Sequence, residues 1–231
     1  MSPAENNTPL NKRSGMPLLA IMSLILGLAA FISWQSLSSN HASAPSLSDQ
    51  LKDNGAFVFP QPINVTDVPF LNEEGQTVGK NENVGKWSFL FFGYTFCPDV
   101  CPTTLAVMQQ MWIKLTPAMQ SQTQVVLVSV DVERDTPEQL KTYMDYFDPS
   151  FTAFTGKPAS LRSFAAQLNA VYAKVERKNA DGEIDQELGY LMDHSANITI
   201  LDPNGNYFGF IKPPFTAKKI LSVVTAIQTQ P

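Results

Sequence analysis

Two short apolar runs limit what this chain can fold into. WSFLFFGYT, from Trp87 to Thr95, and VVLVSV, from Val125 to Val130, are almost continuous in aliphatic and aromatic residues, and both are too short to cross a membrane as helices. A strand with one solvated face alternates apolar and polar residues. A strand apolar throughout is buried on both faces, the condition of a parallel sheet covered by helices. After the first run, Leu105, Met108, Met111, Trp112 and Leu115 recur at three- and four-residue spacings, which predicts an amphipathic helix over 103–119. After the second, Thr136-Pro137-Glu138-Gln139 supplies an N-cap threonine, a proline at the first helical position and a glutamine at the third, opening a helix that runs to about Phe147. Strand, helix, strand, helix is the signature of an α/β fold.

The flanking segments extend this unit. FVF and VPFL, then Asn72-Glu73-Glu74-Gly75 and QTV, predict an antiparallel lead-in with a hairpin turning at Gly75. A strand near Ala153-Phe154, a helix over about 159–170 and a polar hairpin turning near Asp181-Gly182 follow. A strand over 196–201, a turn at Pro203–Asn206, a return strand over 207–211 and a helix over 216–227 close the chain. The result is a mixed central sheet with helices on both faces, an order compatible with a thioredoxin-like core over 57–231.

The leader reads differently. Leu18 to Trp34 carries no charge, and no acidic or basic side chain other than His41 occurs between Arg13 and Asp49. That run is at the short end of what a bilayer takes. Lys12 and Arg13 precede it and the next basic residue is Lys52, so the positive-inside rule puts residues 1–16 in the cytoplasm, a transmembrane anchor at 17–35 and the remainder outside. Residues 36–56 read as a flexible Ser/Ala/Asn-rich tether. Ala42-Ser43-Ala44 also has the small-residue form that signal peptidase cleaves, although the run is longer than a usual signal core and the site lies well beyond its end. Kept or cleaved, the leader exports the domain. The expected location is the bacterial inner membrane, single-pass, with the domain in the periplasm. A formal charge of −5 over 231 residues leaves no basic footprint for nucleic acid.

The two cysteines, Cys97 and Cys101, stand between the first buried strand and its helix, where sites in α/β sheets collect. Pro102 suits a first helical position, so Cys101 is expected at the N-cap and easily ionised. A structural disulfide across so short a loop would stabilise by only about 2 kcal/mol, against about 3 for a 15-residue loop. Redox chemistry and metal binding both remain open, the paired thiolates being soft ligands for Cu(I) or Zn. Of the two histidines, His41 lies in the tether and His194 immediately precedes a late strand, whose start can lie beside the first helix's N-terminus. Two thiolates and that imidazole form a set copper accepts in both common oxidation states, whereas zinc usually takes a fourth ligand. Met108, Met111 and Met192 could each offer a thioether sulfur, but the first two fit the apolar helix face, core packing is favoured, and all three are left out of the site; Asp131, Glu133, Arg134 and Asp135 read as a solvated loop, with docking of a partner as the alternative, and Asp99 and Asp193 as neighbours able to orient the ligands.

FFGYTFCPDVCPTTL from Phe91 to Leu105, SVDVERDTPEQL from Ser129 to Leu140 and DHS from Asp193 to Ser195 resemble, in order and approximate spacing, the Sco/SenC family of copper chaperones for cytochrome c oxidase. The resemblance covers about Gln61 to Ile227 and includes an N-terminal anchor. It implies a thioredoxin-like fold with an added β-hairpin and copper, as Cu(I) or Cu(II), held by Cys97, Cys101 and His194. It also implies a copper donor protein upstream, and delivery of copper to the dinuclear site of oxidase subunit II or another cuproenzyme. The alternative is a thiol-disulfide oxidoreductase that reduces the target's cysteines, with Cys97 and Cys101 as the redox pair. Val132 departs from the proline frequent in the family, at a position that shapes a loop and supplies no ligand.

Overall fold

The structure is a computed structural model that describes residues 18–38, 47–79, 84–178, 182–183 and 189–229. The chain divides into two compact units, Met1–Ala44 and Pro45–Pro231. In the first unit, helix α1 spans Leu18–Ser38 with no charge in its first or last turn. It overlaps the expected anchor at 17–35, and its side chains are described over residues 20–35. A span takes about 20 helical residues, and no helix among the described residues is long and apolar enough to cross a membrane.

The second unit is built around the two apolar runs. They form β4 (Trp87–Gly93) and β5 (Thr123–Ser129), which pair in parallel from Trp87↔Thr123 to Gly93↔Ser129, and β6 (Thr152–Thr155) pairs in parallel with β5. All of β4 except Trp87 is buried, as an apolar run covered on two faces requires. On the far side of β4 lie β9 (Ile198–Leu201), β10 (Tyr207–Ile211) and β1 (Ala56–Ile63), each antiparallel to its neighbour. Beyond β6 lie β2 (Phe70–Asn72) and β3 (Thr77–Val78), giving the order β1-β10-β9-β4-β5-β6-β2-β3. The β2–β3 turn is the expected one: Gly75 has φ +75°, and the Asn72 side-chain oxygen accepts from the backbone of Gln76 at 2.8 Å. A separate two-stranded sheet, β7 (Tyr172–Glu176) with β8 (Tyr190–His194), is the added hairpin. Gly182 at its expected turn has φ +84°, and Asp181 lies outside the described residues.

Helix α3 (Val100–Trp112) packs with α7 (Ala217–Gln228) on the face presented by Phe91 and Gly93. Helix α6 (Pro158–Gln167) covers the opposite face, its Phe164 ring 6.3 Å from that of Phe92 and 5.3 Å from that of Phe70. Helix α5 (Pro137–Asp145) opens with the expected capping box, Thr136 accepting from the Gln139 backbone while the Gln139 side chain accepts from Thr136. Two expectations are corrected. The helix expected over 103–119 starts at Val100 and stops at Trp112, because Thr116 caps a new short helix, α4 (Pro117–Ser121), with Pro117 at its first position. The tether expected over 36–56 gives way to α2 (Leu47–Asp53), whose Leu51 is fully buried in packing against β1 and α7.

Candidate metal centre

The chain leaves β4 at Gly93, turns through a loop closed by Cys97 N–H donating to Tyr94 O at 3.3 Å, and enters α3. Cys101 is the second residue of that helix and is fully buried, while Cys97 is half-buried at the loop's surface; both are free thiols. This corrects the expectation for Cys101. The N-cap is Asp99, and the backbone N–H of Cys101, one of the first-turn donors without a helical partner, points at Cys97 Sγ at 3.4 Å. The helix N-terminus therefore favours a thiolate on Cys97. The hydrogen bond from the Cys101 thiol holds the Cys97 pKa down to about 3, outweighing its partial burial, with His194 and backbone donors adding to the effect. The same hydrogen bond and then burial push Cys101 strongly up, so Cys101 keeps its proton.

His194 arrives by topology. Because β9 runs antiparallel to β4 with Ile198 opposite Phe91, the start of β9 lies at the carboxyl end of β4, and His194 four residues earlier reaches the cysteine loop. Its Nε2 is 3.4 Å from Cys101 Sγ and its Nδ1 is 3.1 Å from Ser195 O. A carbonyl oxygen only accepts, so Nδ1 carries a proton and Nε2 is the nitrogen turned toward the sulfurs. Edge-on contacts with Phe91 at 5.7 Å and Tyr94 at 6.0 Å hold the ring. Cys97 Sγ, Cys101 Sγ and a His194 ring nitrogen all lie within 4.8 Å of one another. All three expected site residues are thus brought together, and His41 lies outside the described residues. Met108, Met111 and Met192 are core residues as expected, and Asp99 and Asp193 are exposed beside the ligands.

Sequence reasoning missed the supports. A Cβ on Gly93 would sit 2.9 Å from Leu127 Cδ1 and Phe91 Cε1 and 3.0 Å from Cys101 Sγ, so the glycine leaves room for the buried thiol. The loop read as solvated holds two buried carboxylates, Asp131 and Asp135, each 2% exposed. Asp135 accepts from Ser129 Oγ at 2.6 Å and from the hydroxyl and N–H of Thr95 at 2.6 and 3.2 Å, which pins the backbone two residues before Cys97. Burial raises its pKa, and the hydrogen bonds oppose that rise. Nothing in DVERD itself distinguishes such carboxylates from solvated ones; the hydroxyls that bind Asp135 come from the end of β5, at Ser129, and from the cysteine loop, at Thr95.

A mixed sheet clad in helices, with a cysteine pair at the junction of its central strand and the next helix and a histidine from an added hairpin, defines a thioredoxin-like domain with a Cys-Cys-His centre. The chain belongs to the SCO1/SenC family, whose model matches residues 63–229. Among solved structures it is similar to apo Sco1 from Thermus thermophilus, at 32% identity and TM-score 0.64 over 74% of this chain and 95% of that one. It is also similar to Arabidopsis thaliana ScoI with copper bound, at 28% identity and TM-score 0.62 over 72% and 99% of the two chains. The SCO2-like protein of Rickettsia prowazekii is 28% identical over 217 residues, covering 89% of this chain and 94% of the relative.

Proposed function

We propose that this chain carries copper, binding it through Cys97, Cys101 and His194 and handing it to another copper protein. The observation that carries the reading is the convergence of two sulfurs and an imidazole nitrogen within 4.8 Å, with the histidine's other nitrogen tied to a carbonyl. Soft thiolates suit Cu(I), the imidazole extends the set to Cu(II), and three ligands leave a coordination position open to a recipient's side chain. Cys97 lies half-buried beside the exposed Phe96, Pro98, Asp99 and Val100, so a partner can approach it. The recipient that the family points to is the dinuclear copper site of cytochrome c oxidase subunit II, loaded in turn by a copper donor protein. The charge-free run at 18–34 behind Lys12 and Arg13 supports a retained single-pass anchor in a bacterial inner membrane, with the domain in the periplasm.

Anaerobic titration of the reduced full chain, kept in mild detergent, with Cu(I) against a competing chelator tests the site. His194→Ala is expected to weaken binding beyond the roughly 10- to 100-fold that losing an outer-shell partner costs, while Cys97 and Cys101 still oxidise to a disulfide. Equal affinity in the two proteins would remove the histidine from the site.

A second reading, thiol-disulfide exchange with the cysteines of the target, is favoured by the low pKa of the half-buried Cys97. Its thiolate would attack a target disulfide and Cys101 would release the mixed disulfide, passing two electrons to the target. Inertness of the copper-free reduced protein toward an oxidised subunit II peptide would count against this reading, and failure of the wild type to bind copper would leave it alone standing.

A further inference from the structure

The centre is assembled from two halves. Cys101 and His194 are 93 residues apart in sequence, and β8 belongs to the two-stranded sheet, so no hydrogen-bond ladder of the central sheet fixes the imidazole against the sulfurs. Arg134, in the loop after β5, stands between the halves. Its guanidinium carbon is 4.8 Å from the ring centroid of Phe96, the residue before Cys97, and 3.7 Å from that of Tyr190, the first residue of β8. Its Nη2 donates to Tyr190 O at 3.3 Å and its Nε donates to Asp131 Oδ2. The other oxygen of that buried carboxylate accepts from the Tyr190 hydroxyl at 2.7 Å, so one anion orients both the arginine and the tyrosine. On the outer side, Lys174 of β7 lies 3.8 Å from the Tyr190 ring and pairs with Glu133 at 2.9 Å; that pair is exposed and adds little.

We infer that Arg134 is a positioning residue: packed against Phe96 and Tyr190 and bonded to Asp131, it sets the distance between the cysteine loop and His194 without touching the metal. A planar guanidinium can lie against two rings while donating in its own plane, which a lysine ammonium cannot do. The inference rests on the copper reading above and deepens it, naming what holds the third ligand in register.

Arg134→Ala and Arg134→Lys, compared with wild type in the full chain, test it with two readouts. Cu(I) competition is expected to show affinity weakened about 10- to 100-fold in the alanine variant and partly recovered in the lysine variant. In the copper-free protein, amide exchange over residues 190–194 is expected to quicken by about tenfold or more while β4 is unchanged and the Cys97–Cys101 disulfide still forms. Unchanged exchange in β8 overturns the inference. So does quickened exchange with wild-type affinity, which would make Arg134 a support of the hairpin alone. If the alanine variant does not fold, Phe96→Leu, at a position 48% exposed, removes one ring and should shift both readouts in the same direction by less. Failure of the wild type to bind copper would sink the copper reading, and the exchange comparison would still decide whether Arg134 holds β8.

Discussion

The cysteine loop and the histidine hairpin supply the same centre by opposite means. The two cysteines lie four residues apart on one strand-to-helix turn, so their proximity follows from local geometry: a loop closed onto Tyr94 O and the first turn of α3. His194 depends on β9 pairing antiparallel with β4 and on side-chain ties between β8 and the loops around it. One half is therefore expected to survive changes that dislodge the other. Under the readings proposed above, thiol-disulfide exchange would use the cysteine half alone and copper binding would use both, so the proposed activities divide along the same line.

The sharpest test of the local half is the reactivity of Cys97. With its pKa near 3, the copper-free reduced protein should be alkylated at a rate that stays nearly flat between pH 8 and pH 5. An ordinary thiol, with a pKa of about 8.5, slows about tenfold per unit, roughly a thousandfold in all. The absolute rate should be modest, because a weakly basic thiolate is a weaker nucleophile. Peptide mapping by mass spectrometry should place the label on Cys97 and leave the buried Cys101 untouched. Since the unfolded chain holds a proton on Cys97 across this window and the fold does not, the contribution of Cys97 to the stability of the reduced protein should rise with pH between about 3 and 8.5 and be lost as pH falls toward 3. A rate falling tenfold per unit would refute the assignment of the thiolate to Cys97.

Local patterns were readable and long-range ones were not. The buried strands, the turn at Gly75 and the capping box at Thr136 are each written within a few consecutive residues, and the structure has all three. The end of α3 is not legible locally, because the apolar spacing continues to Leu115, beyond the last helical residue Trp112 and up to the Thr116 cap of the next helix. The place of Cys101 in the first turn is not legible either, because Pro102 fits the third helical position as well as the first and the pattern alone does not separate the two. That His194 could reach the cysteines was open to topological reasoning, but its role as a ligand came from resemblance. Arg134, Asp135 and Gly93 owe their roles to residues distant in sequence, Phe96 and Tyr190 for the first, Thr95 for the second, Leu127 for the third, and no local pattern announces them.

Gly93 shows how that missed information bears on the local half. Gly93→Ala would drive a methyl into the ends of Leu127, Phe91 and Cys101, all of them side-chain atoms that can yield. Overpacking of this kind costs about 1–3 kcal/mol, so the urea midpoint should fall with an unchanged slope. The displaced Cys101 sulfur should weaken copper binding as well. An unshifted midpoint would mean that the space around Cys101 is looser than its full burial indicates.

The smallest effect is expected at the open end of the hairpin, beside His194. Ser195 N–H donates to Val171 O at 2.9 Å, and its side-chain oxygen accepts from Val171 N–H at 2.9 Å, so the residue after His194 is tied to the start of β7 by backbone and hydroxyl together. Ser195→Ala removes the hydroxyl's bonds, the one accepted from Val171 N–H and a longer one donated to Val171 O at 3.4 Å, keeps the backbone tie, and leaves Val171 N–H to water at an exposed position, costing about 0.5–1.5 kcal/mol. The carbonyl that accepts from His194 Nδ1 is backbone and survives the change. Copper affinity in the chelator competition should therefore fall by no more than about tenfold, given that outer contacts of a metal ligand are worth roughly 10- to 100-fold when removed outright. Disulfide formation should match wild type. A loss as large as that of His194→Ala would instead make the serine hydroxyl a direct participant in the centre, and the division between a self-sufficient cysteine half and a histidine half held by backbone and Arg134 would no longer stand.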